Sequence, residues 1–507
     1  MMSILGNNFA EHVAHYAMDG DARIAIVENG ERKISYLQLN QRANQLAAAL
    51  RDTLSVVRGD RVACELDNCA ELLVIFLACS KIGAIFVPFN ALALKDDLIT
   101  SFDQCAPCVV ITERDKMSLV ETALVGRTAI VNKDSDFYEQ MLAEYPGTEV
   151  SDQACWDDDF LILYTSGTTG TPKGALFDQR KAIIGATAWT NYIGCGHRDR
   201  RLSLQKMCYG GGLMAVAATT LAVGDTLSLE RAFDPRRALR IIADEKITVL
   251  SGSPTVLGRI AMLPEFESAD LSSLKSVCVG GAPVPKQLMD TYREKKGIHL
   301  INCFGMTETC GYHTIQASWQ EGEEVAFEAM DGGRVCIADQ QGNPVPPGVP
   351  GEILFAGPAI MKRYWNNPQA TSEAMHGEWL RTGDLGVGDA LGRFTIIGRQ
   401  KNLIISGAFN ISPIEVNQVI SRHPDVAEST VFGIPHPDWG EAVVAAVVLR
   451  PQSSSGADDI IFWCQQRLLR WKVPKAIFFM EELPINQGTK IDVGKLKKQF
   501  QDHFLAQ

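Results

Sequence analysis

Residues 164–174 combine hydroxyl side chains, glycines and one lysine in a single short segment, Tyr-Thr-Ser-Gly-Thr-Thr-Gly-Thr-Pro-Lys-Gly. Glycines let backbone N–H groups approach an anion closely, hydroxyl groups add hydrogen-bond donors, and lysine adds positive charge. The segment follows the apolar run 160–164, which reads as a buried strand. It therefore predicts a phosphate-binding loop. The residues predicted to surround the phosphates are Thr165, Ser166, Gly167, Thr168, Thr169, Gly170 and Lys173.

Several other chemistries lack support in the chain. The loop does not match the Walker A pattern, and neither G-x-S-x-G nor H-E-x-x-H occurs. Cys105 and Cys108 have C-x-x-C spacing without a second ligand pair, so we interpret them as a turn before a strand at 109–112. His12 and His15 are expected on the surface.

Length and charge limit the possible functions. A chain of 507 residues exceeds one compact core, so at least two domains are expected. The net charge of −12 gives no global attraction for nucleic acid or anionic membranes. No signal peptide or apolar run of about 20 residues is present, which favours a cytoplasmic protein without a transmembrane segment. The thirteen cysteines are scattered and are expected to be reduced.

The elements that must position the loop alternate along the chain. Strands are predicted at 160–164, 247–250 and 274–279, and a helix is predicted from Pro235. Such alternation is typical of α/β layers with parallel sheets. Residues 332–398 are rich in glycine and proline with short strands, which predicts a β-rich part.

Five further short motifs follow the loop in order. They are Gly-Gly-Ala-Pro at 280–283, Phe-Gly-Met-Thr-Glu at 304–308, Trp-Leu-Arg-Thr-Gly-Asp at 379–384, Gly-Arg-Gln-Lys at 398–401 and Pro-Ile-Asn-Gln-Gly-Thr-Lys at 484–490. Together with the loop they resemble the adenylate-forming superfamily of acyl-CoA synthetases, peptide-synthetase adenylation domains and beetle luciferases. The resemblance covers nearly the whole chain.

The resemblance implies an α/β fold in two domains. Residues 1–400 would form a large N-terminal adenylation domain of layered α/β subdomains plus a β-barrel-like subdomain. Residues 401–507 would form a small mobile α+β lid, with Lys401 as the hinge. The active site would lie between the two domains.

The resemblance also assigns roles to residues of the motifs. Phe304 would stack on adenine beside Gly281, Ala282 and Pro283. Thr307 would contact the α-phosphate, and Glu308 would hold Mg²⁺. Asp384 and Arg399 would contact the ribose of ATP. Lys490 would be the catalytic lysine, although Thr489 stands where the family usually has glycine; Lys495 lies five residues too late.

Two departures from the family pattern concern the acid and the thiol. Tyr209 replaces a customary histidine before Gly210, Gly211 and Gly212, the expected acyl pocket, where a glycine run indicates either close packing or an open wall. Gly407, Ala408 and Phe409 fall in the expected CoA tunnel, and either Gly407 or Ala408 corresponds to the tunnel glycine.

The predicted function is ATP-dependent activation of a carboxylic acid to acyl-AMP, followed by transfer to CoA. A medium-chain, long-chain, aromatic or bulky apolar acid is expected, because no aspartate is placed to hold an α-amino group. One alternative is loading of a carrier protein's phosphopantetheine arm. Another is a non-catalytic sensor of a nucleotide or an acyl ligand, which would be expected to lose Lys490, Glu308 or Asp384.

Overall fold

The computed structural model describes residues 5–92, 95–124, 128–150, 154–165, 172–194, 198–317, 325–407, 409–485 and 490–504. No helix within these ranges combines the length and apolar character that a membrane crossing requires.

Twenty-six strands are present in the described ranges. In chain order they are β1 (Ile24–Glu28), β2 (Arg32–Ser35), β3 (Arg61–Leu66), β4 (Ile85–Asn90), β5 (Val109–Thr112), β6 (Ala129–Asn132), β7 (Asp159–Thr165), β8 (Lys173–Asp178), β9 (Arg200–Ser203), β10 (Thr226–Leu229), β11 (Val249–Gly252), β12 (Ser276–Gly280), β13 (Leu300–Met306), β14 (Gly311–Gln316), β15 (Phe327–Ala329), β16 (Arg334–Ala338), β17 (Pro350–Ala356), β18 (Arg363–Tyr364), β19 (Met375–His376), β20 (Trp379–Gly388), β21 (Phe394–Arg399), β22 (Ile404–Ser406), β23 (Phe409–Ile411), β24 (Val426–His436), β25 (Gly440–Leu449) and β26 (Ala476–Phe479).

The α-helices of the same ranges lie mainly between these strands. They are α1 (Phe9–Ala14), α2 (Tyr36–Ala48), α3 (Ala70–Ile82), α4 (Lys95–Cys105), α5 (Met117–Ala123), α6 (Asp136–Ala143), α7 (Gln179–Thr187), α8 (Gly210–Gly212), α9 (Thr219–Val223), α10 (Pro235–Asp244), α11 (Pro254–Ala261), α12 (Lys286–Lys296), α13 (Pro368–Ala374), α14 (Pro413–Ile420), α15 (Ala457–Gln465) and α16 (Val493–Phe500).

Local sequence explains where several helices begin. Helix α2 starts with a capping box, in which Ser35 and Gln38 satisfy each other's backbone N–H groups. Helix α10 begins with Pro235, and the side chain of Asp234 accepts a hydrogen bond from the Arg237 N–H. Every residue of α3 is buried, which fits its largely apolar sequence.

Two large sheets carry the site. A seven-stranded sheet has the order β18-β8-β7-β4-β3-β5-β6, with parallel pairing from β7 to β6. A fourteen-stranded sheet contains the parallel run β13-β12-β11-β9-β10-β1 and continues through β14 and β15 into the antiparallel strands β21, β20, β17 and β16. A third sheet of five strands, β22 to β26, is built only from residues after 403.

The α/β fold class is confirmed, with two differences of detail. The β-rich part is an open extension of the large sheet through β15, and it does not close into a separate barrel. His12 is buried and not on the surface: its Nε2 atom lies 2.8 Å from the carbonyl oxygen of Ala222, and burial lowers the pKa of the ring. The stretch 105–108 does form a turn before β5, and both cysteines are free.

Candidate active site

A cleft of about 2780 Å³ lies between the third sheet and the edge of the large sheet. Its described walls carry eleven basic and eight acidic side chains, whereas the whole chain has a net charge of −12. The excess of positive charge is therefore local. Such a cleft attracts polyphosphates although the protein as a whole repels anions.

The first wall is formed by the carboxyl ends of β12 and β13. These strands are parallel neighbours, so the residues that follow them meet at one edge of the sheet. The turn after β12 contains Gly281 at φ +83°, Ala282 and Pro283, and all three line the cleft. Gly280 is tightly packed, because a Cβ there would lie 2.5 Å from the carbonyl oxygen of Cys303.

Phe304 on β13 lines the same part of the cleft. Its ring centroid lies 5.3 Å from that of Phe355 and 6.1 Å from that of Phe327. The ring is half-buried, so this aromatic packing fixes it while part of it faces the cleft. A fixed, partly exposed ring suits stacking on a planar base.

Glu308 lies in the turn that follows Phe304 and is only 6% exposed. The Tyr364 hydroxyl donates a 2.5 Å hydrogen bond to its Oε1 atom, and the Met361 N–H binds its carbonyl oxygen at 2.9 Å. Burial and the neighbouring carboxylate raise the pKa of Tyr364, so this hydroxyl remains a donor. The Lys173 ammonium lies 5.4 Å from the centre of the Tyr364 ring.

This carboxylate fits a magnesium ion that arrives with ATP. Mg²⁺ usually takes one or two carboxylates together with phosphate oxygens and water. Glu308 supplies a buried carboxylate at the cleft, and Thr307 lines the cleft beside it.

The predicted phosphate loop is only partly within the described residues. Thr165 and Lys173 are paired opposite each other at the ends of β7 and β8, and both line the cleft. Ser166, Gly167, Thr168, Thr169 and Gly170 lie outside the described residues.

Asp384 and Arg399 face each other on the paired strands β20 and β21. The Arg399 Nε atom lies 3.5 Å from Asp384 Oδ1. Burial raises the pKa of Asp384 to about 6, although Arg399 and Lys490 act to lower it. The local backbone is held by Glu352, whose Oε1 atom accepts a 3.0 Å hydrogen bond from the Gly383 N–H.

Lys490 enters the cleft from the chain that follows the third sheet. Its Cε atom lies 3.9 Å from the position that a Cβ on Gly281 would occupy. Burial and the positive charge of Arg399 lower the pKa of Lys490, while Asp384 and Glu308 act in the opposite direction. Lys495, by contrast, lies on α16 outside the described lining of the cleft, and its N–H donates a 2.9 Å hydrogen bond to Asp492. The structure thus brings Lys490 together with Glu308 and Asp384.

Residues of the expected hinge and CoA tunnel also line the cleft. Lys401 lies in a short turn after β21 and lines the cleft, as does Gly407 at φ +61°. The Gly407 N–H donates a 2.7 Å hydrogen bond to the carbonyl oxygen of Trp439. Phe409 begins β23, and Ala408 lies outside the described residues.

The expected acyl pocket does not form part of the described lining of this cleft. The Tyr209 hydroxyl accepts a 3.2 Å hydrogen bond from Asn90, and burial raises its pKa to about 12. The interpretation of the glycine run as an open pocket wall is wrong for Gly212, because a Cβ there would lie 2.2 Å from the carbonyl oxygen of Lys206. At Gly211 it would lie 2.5 Å from the end of the flexible Gln205 side chain, which can shift, so close packing against backbone explains Gly212 alone.

Gly210 differs from its neighbours. A Cβ at this position would lie 3.5 Å from Leu163 and 4.0 Å from the Cα atom of Thr307, which are ordinary contact distances. Gly210 is therefore the glycine of the run that lies beside Thr307.

Sequence reasoning missed Tyr364 and Glu352. Both support motif residues, but neither lies in a motif of its own. The sequence offers no spacing signal for them, because their partners Glu308 and Gly383 lie 56 and 31 residues away.

Two protein-family models match the chain. A model of the AMP-binding enzyme family matches residues 11–365, and a model of the AMP-binding enzyme C-terminal domain matches residues 415–490. The chain belongs to the AMP-binding enzyme family. It is therefore an enzyme, an AMP-forming acid–thiol ligase, of a kind that uses ATP, Mg²⁺ and CoA.

Relatives of this AMP-binding enzyme match along almost its whole length. A feruloyl-CoA synthase from Amycolatopsis is 33% identical over 94% of this chain and 95% of its own. A long-chain-fatty-acid–CoA ligase of Mycobacterium tuberculosis is 31% identical over 92% and 93%. A solved anthranilate CoA ligase in complex with anthranoyl-AMP is 25% identical, with a TM-score of 0.90 over 98% of both chains.

Proposed function

We propose that this AMP-binding enzyme activates a bulky apolar or aromatic carboxylic acid as its adenylate and transfers the acyl group to CoA. One observation carries the proposal: Glu308, Asp384 and Lys490, from three distant segments, line one positively charged cleft. A binding protein that only sensed a nucleotide would have no need of all three.

We assign the first half-reaction to the arrangement described here. The acid's carboxylate oxygen attacks the α-phosphorus of ATP, a new C–O–P bridge forms, and the bond to pyrophosphate breaks. Mg²⁺ held by Glu308 would neutralise the phosphate charge. Asp384 and Arg399 would orient the ribose, Phe304 would stack on adenine, and Lys490 would stabilise the approach of the two anions.

In the second half-reaction the CoA sulfur attacks the acyl carbon and AMP leaves with the electron pair of the broken C–O bond. The thiol proton passes to solvent. We propose that residues 401–507 turn about Lys401 between the two steps, so that Gly407 replaces Lys490 beside the reacting carbonyl. Gly407 rather than Ala408 suits the tunnel position, because Gly407 lines the cleft at a positive φ.

The acid class is supported by the surroundings of Gly210 and by the relatives. Leu163 supplies an apolar contact next to Thr307. Ferulate, long-chain fatty acids and anthranilate, named for the relatives, are apolar or aromatic acids without an aliphatic α-amino group.

Pyrophosphate release measured with ferulate, anthranilate, palmitate, octanoate, acetate and phenylalanine tests this assignment. We expect an aromatic or fatty acid to be fastest, and acetate and phenylalanine to be slowest. Thioester formation is then followed with CoA and with a phosphopantetheinylated carrier protein. Preference for the amino acid would overturn the acid class, and acyl transfer only to the carrier protein would overturn the acceptor.

A second variant checks the position of the pocket. Gly210→Val should slow the bulky acid more than acetate, because the added methyl groups would project toward Leu163 and Thr307. Gly258→Ala in α11 is the control, because nothing lies within 4 Å of a Cβ there. An equal loss of rate with both acids would mean that the acyl pocket lies elsewhere.

A further inference from the structure

Two large aromatic side chains stack on each other at the surface of the third sheet. The ring centroids of Phe409 and Trp471 are 4.7 Å apart, with 11° between the ring planes. The two residues are 45% and 39% exposed. Neither ring is part of a hydrophobic core, so the stack contributes little to folding. Its main effect is to fix Phe409 relative to Trp471.

Phe409 lies at the tip of a hairpin whose base is anchored, because Ile404 and Ile411 are buried in the core of the third sheet. Strands β22 and β23 have three residues each, and β23 is the edge strand of its sheet. Strand β22 pairs with β25 only at Ser406 and Gly440. Strands this short are marginal without further support. The tip of the hairpin, unlike its base, therefore depends on contacts outside both this ladder and the core.

The attachments lie on opposite sides of the hairpin. On the β25 side, the Gly407 N–H donates to the carbonyl oxygen of Trp439, and the Ile405 N–H donates to Glu441 at 2.9 Å. On the β23 side, Ile411 anchors the base of the hairpin in the core, and the stack of Phe409 on Trp471 holds the tip. Removing one ring would leave the β25 side as the main restraint on the tip.

Trp471 is a firm support because its own segment is tied to the domain. The next residue, Lys472, donates hydrogen bonds of 2.6 and 2.7 Å from its ammonium group to both carboxylate oxygens of Glu415 on α14. The Lys472 N–H also binds the carbonyl oxygen of Leu469 at 2.8 Å. The stack thus connects the edge hairpin to helix α14 through a short turn.

The supported hairpin faces the cleft, since Ile405 and Gly407 line it. We propose that Trp471 is a positioning residue for the thioester-forming step. By holding Phe409, it fixes the path of the backbone at Gly407, past which the pantetheine arm of CoA reaches the acyl-adenylate. This inference rests on the proposed transfer to CoA. The stack lies wholly after residue 403, so it moves with this part of the chain in either orientation.

The test separates the two half-reactions in Trp471→Ala. Acid-dependent ATP–pyrophosphate exchange should stay at the wild-type rate, with the fastest acid of the panel as the probe. The kcat/KM for CoA should fall about fivefold to tenfold, the effect expected from losing one aromatic pair. Trp471→Phe should restore most of the CoA step. Phe462→Ala is the control: it removes an exposed aromatic side chain from α15, in the same part of the chain, and should change neither step.

Two further measurements show whether Trp471 acts through Phe409. Amide hydrogen exchange over 404–411 should become faster in Trp471→Ala, while exchange in β24 and β25 stays unchanged. The double variant Phe409→Ala with Trp471→Ala should be no slower with CoA than the worse single variant, because both remove one contact.

A normal kcat/KM for CoA in Trp471→Ala would overturn the inference, as would an equal loss in both half-reactions or additive losses in the double variant. If the wild-type enzyme makes an adenylate but no CoA thioester, the proposed acceptor fails first and the inference fails with it. If the wild-type enzyme forms the CoA thioester and Trp471→Ala has the same kcat/KM for CoA, the inference fails while the proposed acceptor stands.

Discussion

The two walls of the cleft are built in different ways. Phe304 and Asp384 lie on strands β13 and β20 of the large sheet, and Glu308 lies in the turn after β13. Buried partners support all three: Phe355 packs on Phe304, Tyr364 binds Glu308, and Glu352 holds the backbone next to Asp384. The opposite wall presents Lys490, Gly407 and Trp439 from loops and an edge hairpin, with exposed side chains among them. This contrast suits one wall that holds ATP in fixed geometry and another that supplies groups needed in only one step.

The largest effect on this contrast is expected from Lys490→Ala. Acid-dependent ATP–pyrophosphate exchange should fall by about 10³-fold, since a charge pair at about 4 Å is worth about 4 kcal/mol at an effective dielectric of 20. CoA transfer from a supplied acyl-adenylate should stay near normal, because the adenylate is already formed and AMP leaves readily. Lys495→Ala is the control and should leave both steps intact. Normal exchange in Lys490→Ala, or an equal defect in the control, would refute the assignment.

The next test addresses the fixed wall. Glu308→Gln should lower both exchange and overall turnover by about 10²-fold to 10³-fold, because metal neutralisation of the phosphates is worth several kcal/mol. The Mg²⁺ concentration for half-maximal rate should rise as well. Glu373→Gln, at an exposed carboxylate that also lines the cleft, serves as the control. An unchanged Mg²⁺ dependence in Glu308→Gln would place the metal elsewhere.

The raised pKa of Asp384 predicts how ATP binding depends on pH. Below a pKa of about 6 the carboxyl is protonated and accepts hydrogen bonds from ribose poorly. The KM for ATP should therefore rise as pH falls through 6 and be flat above 7. Asp384→Asn should have a high KM that no longer changes over this range. A wild-type KM that is constant from pH 5 to 7 would contradict this role.

The same residue should reduce the stability of the fixed wall. Its folded-state pKa of about 6 lies above the ordinary value of 3.8, so folding favours the protonated form. The destabilisation is absent below the ordinary pKa of 3.8, grows as pH rises from there to the folded-state pKa of about 6, and is complete above it. It reaches at most about 3 kcal/mol at pH 7. Thermal melts at pH 7 should show a higher Tm for Asp384→Asn than for wild type. A lower Tm would mean that the pairing with Arg399 outweighs burial.

The smallest effect is expected where the two walls touch through exposed charges. Arg259 on α11 lies 4.0 Å from Glu482 beyond β26, and both side chains are exposed. Such pairs are worth about 1 kcal/mol or less, so Arg259→Ala should slow exchange by no more than about fivefold at low salt. The difference should vanish at about 0.5 M salt. A larger loss that persists at high salt would show that this contact controls the orientation of the two walls.

Sequence alone predicted which motif residues line the cleft better than it predicted the contacts that support them. Motifs located Glu308, Asp384 and Lys490 because each chemical role needs one residue type at one place in the chain. The helix from Pro235 and the strand at 160–164 were also predicted, because capping and apolar runs are local signals. The family model confirms the membership that these motifs indicated.

The supports could not be predicted because they depend on distant contacts. His12 is buried only because α9 lies against α1, and Gly212 is packed only because the Lys206 backbone returns beside it. The stack of Phe409 on Trp471 joins residues 62 positions apart. The hydrophobic periodicity and the composition of the sequence carry no information on such pairs. The roles assigned to the site residues remain predictions for the variants above.

The central claim is that the acid passes through an adenylate in this cleft. Wild-type enzyme should be given the fastest acid of the panel with both carboxylate oxygens replaced by ¹⁸O, together with Mg·ATP and CoA, and the products examined by mass spectrometry. A route through the adenylate predicts one ¹⁸O atom in AMP and one in the acyl-CoA, because a carboxylate oxygen bridges to the α-phosphorus and leaves with it. Label in inorganic phosphate with formation of ADP, or unlabelled AMP, would contradict this route.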